Sequence, residues 1–217
     1  MRRAYDARMK FAREAWPFVA PFPLLALALA ATGRKKSALG ALAAGGAVLL
    51  FFRDPERGYH GDLDTVVAAA DGVVTQVDVV EDAAVGPGRF QRVVTFLSAF
   101  DVHVQKAPTD GVVVASALTR GKKLAAFKPD VDKVNEAHLT VIERSDGERV
   151  GVRQIAGLIA RRVVCYLSPG QPVHRGQPLG LIKFGSRVDL MVPESWEVLA
   201  GVGDRLRNGE TPVARRR

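Results

Sequence analysis

The sequence predicts a mainly β protein: a barrel- or sandwich-like domain with lipoyl-like hairpins, preceded by an N-terminal hydrophobic helical hairpin. Three observations predict it. Short runs rich in Val, Ile and Thr recur from residue 65 to residue 193, with Gly- and Pro-containing turns between them. No long amphipathic helical period interrupts those runs. The first 57 residues differ from everything that follows, because they carry two long stretches without a single charge.

The N-terminal region opens on "MRRAYDARMKFAREAW", with five Lys or Arg against two acids. Residues 15–33 are then uncharged ("AWPFVAPFPLLALALAATG"), "RKK" interrupts at 34–36, and a second uncharged run covers 37–52. A helix needs about 20 apolar residues to cross about 30 Å of hydrocarbon. The first run nearly meets that length, while the second reaches only about 24 Å at ~1.5 Å per residue. Pro17, Pro21 and Pro23 make the start of the first run a poor regular helix. A cleaved signal peptide has one apolar core, so the second run argues against that reading. A pair of buried core helices is the other alternative. A membrane hairpin fits better, with basic residues and Trp16 at headgroup level. The basic residues before the first run, with Arg53 and Arg57 after the second, favour both ends on the cytoplasmic side.

"FFRDPERGYHGD" combines charge, Pro and Gly and marks a boundary near residue 57. The expected units are therefore 1–57, membrane-associated, and 58–217, a β domain. Strands are expected at "TVVAA", "GVVTQVDVV", "QRVVTFLS", "GVVVASA", "LTVIER", "RVGVRQI", "RVVCYL", "LGLIKF" and "RVDLMVP". Only "DVDKVNEAH", 130–138, reads as a short helix. "ADGVV" at 70–74 recurs as "TDGVV" at 109–113, which reads as two equivalent turns entering strands. "PGQPVHRGQPLG" at 169–180 has the Gly-rich look of a lipoyl-type hairpin.

Composition narrows the partners. The net charge of +8 admits an anionic membrane, an acidic substrate or nucleic acid. Aromatics make up only 7% and are not interleaved with the basic residues, which disfavours nucleic acid. A single cysteine, Cys165, excludes an intrachain disulfide, and its apolar context "RRVVCYL" reads as a buried thiol.

Few residues are candidates for chemistry. His60 and Asp64 have the HxxxD spacing of lysostaphin-type zinc peptidases, but the HxH pair such a site also needs is missing, so no metal is expected. His174 falls in a turn and reads as solvated. In "SAFDVHVQKAP", Val102 and Val104 are apolar, so Asp101, His103 and Gln105 share the other strand face. Such a face is ordinarily wet, or it lines a pocket with His103 moving a proton. Asp71, just before Gly72, has turn chemistry as its plain reading.

Gly185-Ser186 interrupts "LGLIKF" and "RVDLMVP". A turn accounts for it. So does a chemical reading, in which a serine hydroxyl attacks the carbonyl of its own preceding peptide and forms an ester. Glycine on the acyl side leaves that carbonyl unobstructed. Elimination then gives dehydroalanine and a free Gly185 carboxylate, and hydrolysis with loss of ammonia gives a pyruvoyl ketone.

The stretches "RDPER", "AADGVV", "DVHVQKAP", "VRQIAGLIARRVVCYL" and "GQPLGLIKFGSRVDLMVP" cover most of residues 51–193, in order. On them the chain resembles the phosphatidylserine decarboxylases of the short type found in bacteria and archaea. The resemblance implies self-cleavage between Gly185 and Ser186, into a β chain of 1–185 and an α chain of 186–217 that stay associated. It implies a pyruvoyl cofactor made from Ser186, with no external cofactor or metal. That ketone would form a Schiff base with the serine headgroup, accept the electrons released with CO2, and leave phosphatidylethanolamine. By position, His103 matches the histidine that assists decarboxylation and Asp71 matches the aspartate of the self-cleavage triad. Longer relatives carry a second histidine where this chain has Lys106, so the base for cleavage is not assigned. Arg187 and Asp189 lie either near the pyruvoyl or in an ordinary strand pair.

The partner implied is phosphatidylserine in a membrane, with no nucleic acid, and homo-oligomerisation is allowed. The location implied is the cell membrane, with the catalytic domain on the cytoplasmic side. Two alternatives stand beside this enzyme. One is a membrane-tethered lipoyl- or biotinyl-like carrier, which needs an exposed lysine at a hairpin tip; the one Asp-Lys pair, Asp132-Lys133, falls in the segment that reads as helical. The other is a structural β module in which Gly185-Ser186 is a turn.

Overall fold

The computed structural model describes residues 10–121, 135–157, 162–183 and 186–217, with Ser186 described through its backbone. The chain divides into two compact units, the first ending at Glu56 and the second beginning at Arg57.

In the first unit, β1 (Lys10–Phe11) and β2 (Arg53–Asp54) pair antiparallel and close the ends of a helical hairpin. A 3-10 turn leads into α1 (Trp16–Val19), α2 (Pro21–Ala31) and α3 (Lys35–Phe51). The prolines segment the first run, as their chemistry requires. Pro17 and Pro21 stand in the opening turns of α1 and α2, where a missing N–H costs nothing. Small residues let α2 and α3 approach: Ala26, Ala38 and Ala41 are buried together, and a Cβ at Gly45 would stand 2.8 Å from Phe22 Cβ. The leucines point away from that seam, Leu24 70%, Leu27 70% and Leu39 69% exposed. The helical run Arg13–Ala31 is long and apolar enough to cross a membrane, by length and composition.

The second unit is built of β3 (Thr65–Val67), β4 (Gly72–Glu81), β5 (Arg89–Leu97), β6 (Val104–Lys106), β7 (Gly111–Thr119), β8 (Ala137–Glu143) and β9 (Arg149–Ala156). It continues through β10 (Val163–Cys165), β11 (Pro172–Val173), β12 (Pro178–Ile182), β13 (Ser186–Pro193), β14 (Glu197–Val198), β15 (Arg205–Leu206) and β16 (Pro212–Arg215). Eight strands in the order β11-β7-β8-β9-β13-β5-β4-β15 form a curled half-barrel. Two three-stranded sheets, β10-β12-β6 and β14-β16-β3, accompany it. Val188 and Leu190 of β13 share one core with Val152 and Ala156 of β9, Val163 of β10, and Leu179 and Ile182 of β12. The β10-β12-β6 sheet is thus packed on the inner face of the half-barrel. On the outer face Met191, Phe90, Leu139 and Val141 pack around Val85.

The echo of 70–74 in 109–113 is structural, and it extends further than the sequence suggests. Gly72 and Gly111 each open a strand, and each has a partner-strand carbonyl where a side chain would go. A Cβ would stand 2.2 Å from Phe96 O at Gly72 and 2.3 Å from Glu143 O at Gly111. Two residues later both strands bulge, between Val74 and Gln76 and between Val113 and Ala115. Both are flanked by a two-residue strand, β15 beside β4 and β11 beside β7. The aspartates match as well: Asp71 Oδ1 accepts from Asn208 N at 2.8 Å, and Asp110 Oδ1 accepts from Arg175 N at 3.2 Å. Gly209 N and Gly176 N then bond Ala68 O and Ala107 O, each three residues before its aspartate. The two halves of the sheet are built to one plan. Gly72→Ala should therefore destabilise the unit by about 1–3 kcal/mol from backbone strain, before the clash is added. A denaturant midpoint indistinguishable from wild type would refute the close approach.

Two local expectations change. "PGQPVHRGQPLG" is not one self-paired hairpin, because β11 pairs with β7 while β12 pairs with β6 and β10. The helix expected over 130–138 lies largely outside the described residues, and its last two, Ala137 and His138, open β8 as strand. Their pairing with β7 and β9 overrides the local pattern.

Candidate active site

The link between β12 and β13 carries Gly185-Ser186, and the fold brackets it from both sides. Phe184 and Gly185 lie outside the described residues, but their flanks do not. Ile182 N donates to His103 O at 3.3 Å, so the last residue of β12 lies against the start of β6. Ser186, the first residue of β13, stands in register opposite Leu97 of β5 and Ala156 of β9. The loop 98–103 thus begins beside Ser186 and ends beside Ile182. Other groups converge on the same place: Asn135 Nδ2 donates to Ala156 O at 2.7 Å, and Lys183 N to Arg162 O at 3.3 Å. Glu136 Oε1 accepts from Val163 N at 3.1 Å.

The loop is held by its own acid. Asp101 Oδ2 accepts from Ser98 N and Ser98 Oγ at 2.8 and 2.7 Å, and Oδ1 accepts from Arg205. His103 is fully buried, and its Nδ1 lies 2.9 Å from Asp101 O. A carbonyl can only accept, so Nδ1 carries the hydrogen, and Nε2 is the nitrogen that can take or give a proton. Gln105 Nε2 donates to His103 O at 2.8 Å, and Gln154 Nε2 donates to Gln105 Oε1 at 2.7 Å. This chain of amides ties β6 to β9 and fixes the backbone of His103.

The face shared by Asp101, His103 and Gln105 is accordingly not wet. The three are 4%, 0% and 0% exposed, because β6 turns that face toward the half-barrel. Alternation alone shows which residues share a face, and stacking of sheets decides whether water reaches it.

Asp71 is placed differently. It is buried, bonded to Arg57 and to Asn208 N, and its hydrogen bonds do not reach His103. The connection to β6 is indirect, through Asn208 Nδ2, which donates to Val104 O at 2.7 Å. Lys106 is buried on that side, its Cγ and Arg57 Cβ both packing around Gly209. The structure therefore sets the His103 backbone against Ile182, the last residue of β12, and sets Asp71 with Arg57 and Asn208. Arg57, Asn208, Asn135 and Gln154 carry no sequence signal of their own; tertiary folding alone reveals them.

Arg187 and Asp189 form a strand pair, and a buried one. Arg187 Nε and Nη2 donate to Asp189 Oδ1 and Oδ2 at 2.6 and 2.8 Å. They lie on the outer face with Met191, opposite Val188 and Leu190. Arg92 bridges onward, 3.7 Å from Asp189 and in a two-bond contact with Asp78. Hydrogen bonding from Arg92 holds the Asp78 carboxyl below the usual range despite partial burial.

Cys165 is half-buried rather than enclosed. Burial raises its thiol pKa, but hydrogen bonding to His138 and Thr140 outweighs that and brings it down to about 7. Among the described residues no three His, Cys, Asp or Glu side chains converge as metal ligands.

Comparison with known proteins gives this arrangement a family. The family model described as phosphatidylserine decarboxylase matches residues 45–214. A phosphatidylserine decarboxylase proenzyme of Symbiobacterium thermophilum is 44% identical over 206 residues, covering 94% of each chain. One of Paramagnetospirillum magneticum is 39% identical over 93% of this chain and 85% of its own. One of Nitrosomonas eutropha is 36% identical over 99% of both. With matches of this extent and a β architecture that runs through nearly all of the matched region, the chain belongs to the phosphatidylserine decarboxylase family of enzymes.

Proposed function

We propose that this protein is made as a proenzyme, cleaves itself between Gly185 and Ser186, and then decarboxylates phosphatidylserine at a ketone formed from Ser186. The observation that carries this reading is the bracketed link, with the main-chain carbonyl of His103 accepting from Ile182 N on one side and Leu97 opposite Ser186 on the other. A turn in a plain β module has no need of a buried histidine beside it.

Strand pairing of Ile182 and Ser186 fixes the two flanks of the link in which Ser186 Oγ must attack the Gly185 carbonyl. The ester breaks by elimination, the Gly185 carboxylate departs, and one water replaces one ammonia at residue 186. A ketone there condenses with the primary amine of the substrate and draws the electron pair from the breaking C–C bond. His103, with Nδ1–H donating to Asp101 O, takes at Nε2 the proton that the substrate ammonium sheds on condensing and delivers it to the carbon that loses CO2. Gln105 and Gln154 hold the His103 backbone still, and the fully buried imidazole keeps bulk water from competing. Asp71 supports cleavage from behind, because its bonds to Arg57 and Asn208 fix Val104, the residue after His103. The fragments 1–185 and 186–217 stay associated because β13 lies between β9 and β5, both in the larger fragment.

The helical run Arg13–Ala31 anchors the enzyme in the cell membrane, where its substrate resides, with the β domain on the cytoplasmic side. Incubating the enzyme with phosphatidylserine and cyanoborohydride should fix the headgroup amine covalently to the 186–217 fragment. Absence of that adduct in an active preparation contradicts the reading. His103→Ala should leave cleavage intact and reduce turnover about 10²–10⁴-fold, the usual weight of a general acid. Unchanged turnover would remove His103 from the site.

A further inference from the structure

The side chain of Arg205 is 65% exposed, yet the residue is held at both ends. Its backbone lies in β15 opposite Val73 of β4. The turn before it is tied by Val74 N to Asp204 O at 2.9 Å and by Gly201 N to Asp204 Oδ2 at 2.7 Å. Its Nη2 donates to Asp101 Oδ1, on a carboxylate that is 4% exposed. Asp101 uses its other oxygen for Ser98 N and Ser98 Oγ, and its main-chain carbonyl for His103 Nδ1. Guanidinium, aspartate and imidazole thus form one chain of contacts. The plan shared by the two halves of the sheet does not call for it. The strand that matches β15 is β11, where Pro172 stands opposite Val112 as Arg205 stands opposite Val73. Proline has no side-chain donor, so the plan is met without a clamp at that place.

We propose that Arg205 is a positioning residue for the decarboxylation step. Acting through Asp101, it holds in place the carbonyl that accepts from His103 Nδ1, and so fixes which imidazole nitrogen carries the moving proton. Without Arg205, Asp101 keeps its bonds to Ser98 but is left with a buried carboxylate oxygen stripped of its cation. The side chain then turns to find a donor, and the carbonyl beside it moves. Arg205 belongs to the fragment 186–217, whereas Asp101 and His103 belong to 1–185. The small fragment therefore supplies both the ketone and the contact that orients the proton carrier. The inference rests on the reading above that His103 serves a ketone formed at residue 186.

The test is a double-mutant cycle on the full-length enzyme, with phosphatidylserine in detergent micelles as substrate. Arg205→Met should cleave normally, leave KM unchanged and lower kcat about tenfold, the scale of a small misplacement at a proton-transfer group. Arg205→Lys, which keeps a cation for Asp101, should recover most of that loss. In the His103→Ala background, Arg205→Met should cost nothing further, because Arg205 acts through the imidazole. A second readout is independent of turnover. In protein with isotope-labelled histidine, the nitrogen NMR signals that vanish in His103→Ala should show Nδ1 protonated in wild type and a mixture of tautomers in Arg205→Met. A full additional loss in the His103→Ala background, a raised KM with kcat unchanged, or an unaltered His103 tautomer would each overturn the proposal. A tautomer change in a protein that does not decarboxylate phosphatidylserine would instead leave the clamp standing and remove the proposed function.

Discussion

Ser186→Ala should purify as one uncut chain with no decarboxylation above background. On the proposed function the hydroxyl is both the nucleophile for cleavage and the source of the ketone, so its loss would remove two functions with one oxygen. Alanine fits an extended strand position, and Ser186 is paired on both sides, so the variant should fold and melt close to wild type. That separates chemistry from folding. Ser186→Cys and Ser186→Thr retain a nucleophile and should cleave slowly, since the attacking atom survives in altered geometry. An alanine variant that is still cut at 185–186, or that still turns over, would mean that another residue starts the reaction.

Asp189→Ala should destabilise the second unit by about 3–5 kcal/mol, the cost of leaving a buried charge without its partner. Asp189 is fully buried and takes both forks of Arg187, which is itself 6% exposed. At ~2–4 °C per kcal/mol for a domain of this size, the melting temperature should fall by about 10 °C. The double variant Asp189→Leu, Arg187→Met should recover much of that loss, because an apolar pair requires no compensation. Strict additivity of the two single changes would refute the pairing. The neighbouring Asp78 adds a pH dependence of known sign. Its folded pKa is depressed by Arg92, so its contribution is present above the ordinary carboxylate pKa and is lost as pH falls through the folded value. Acid unfolding should therefore begin at higher pH in Arg92→Met than in wild type.

The sequence makes the architecture readable because β-strand composition and turn chemistry are local properties. Val-rich runs between Gly and Pro need no tertiary knowledge to be read as strands, and the Ala- and Gly-rich N-terminal runs declare helices in the same way. The echo of Asp71-Gly72 in Asp110-Gly111 was legible only in its first half. Its second half, 204–210 against 171–177, shares backbone hydrogen bonds but few side chains, so no pattern of letters exposes it. The site divides along the same line. Gly185-Ser186 and His103 stand out as motifs, and Arg187 and Asp189 can be seen to share a strand face. Whether such groups are wet or buried is decided by which sheets stack, and the depth of His103, Gln105 and Asp189 is invisible before folding. Arg57, Asn208 and Gln154 meet their partners across 14, 137 and 49 residues of chain, separations that local spacing does not reveal.

The intact mass of the wild-type protein under denaturing conditions tests the central claim most directly. The account predicts two polypeptides, one ending at Gly185 and one of residues 186–217 that resists Edman degradation and carries a ketone. A single uncut chain that nevertheless releases CO2 from phosphatidylserine would contradict it.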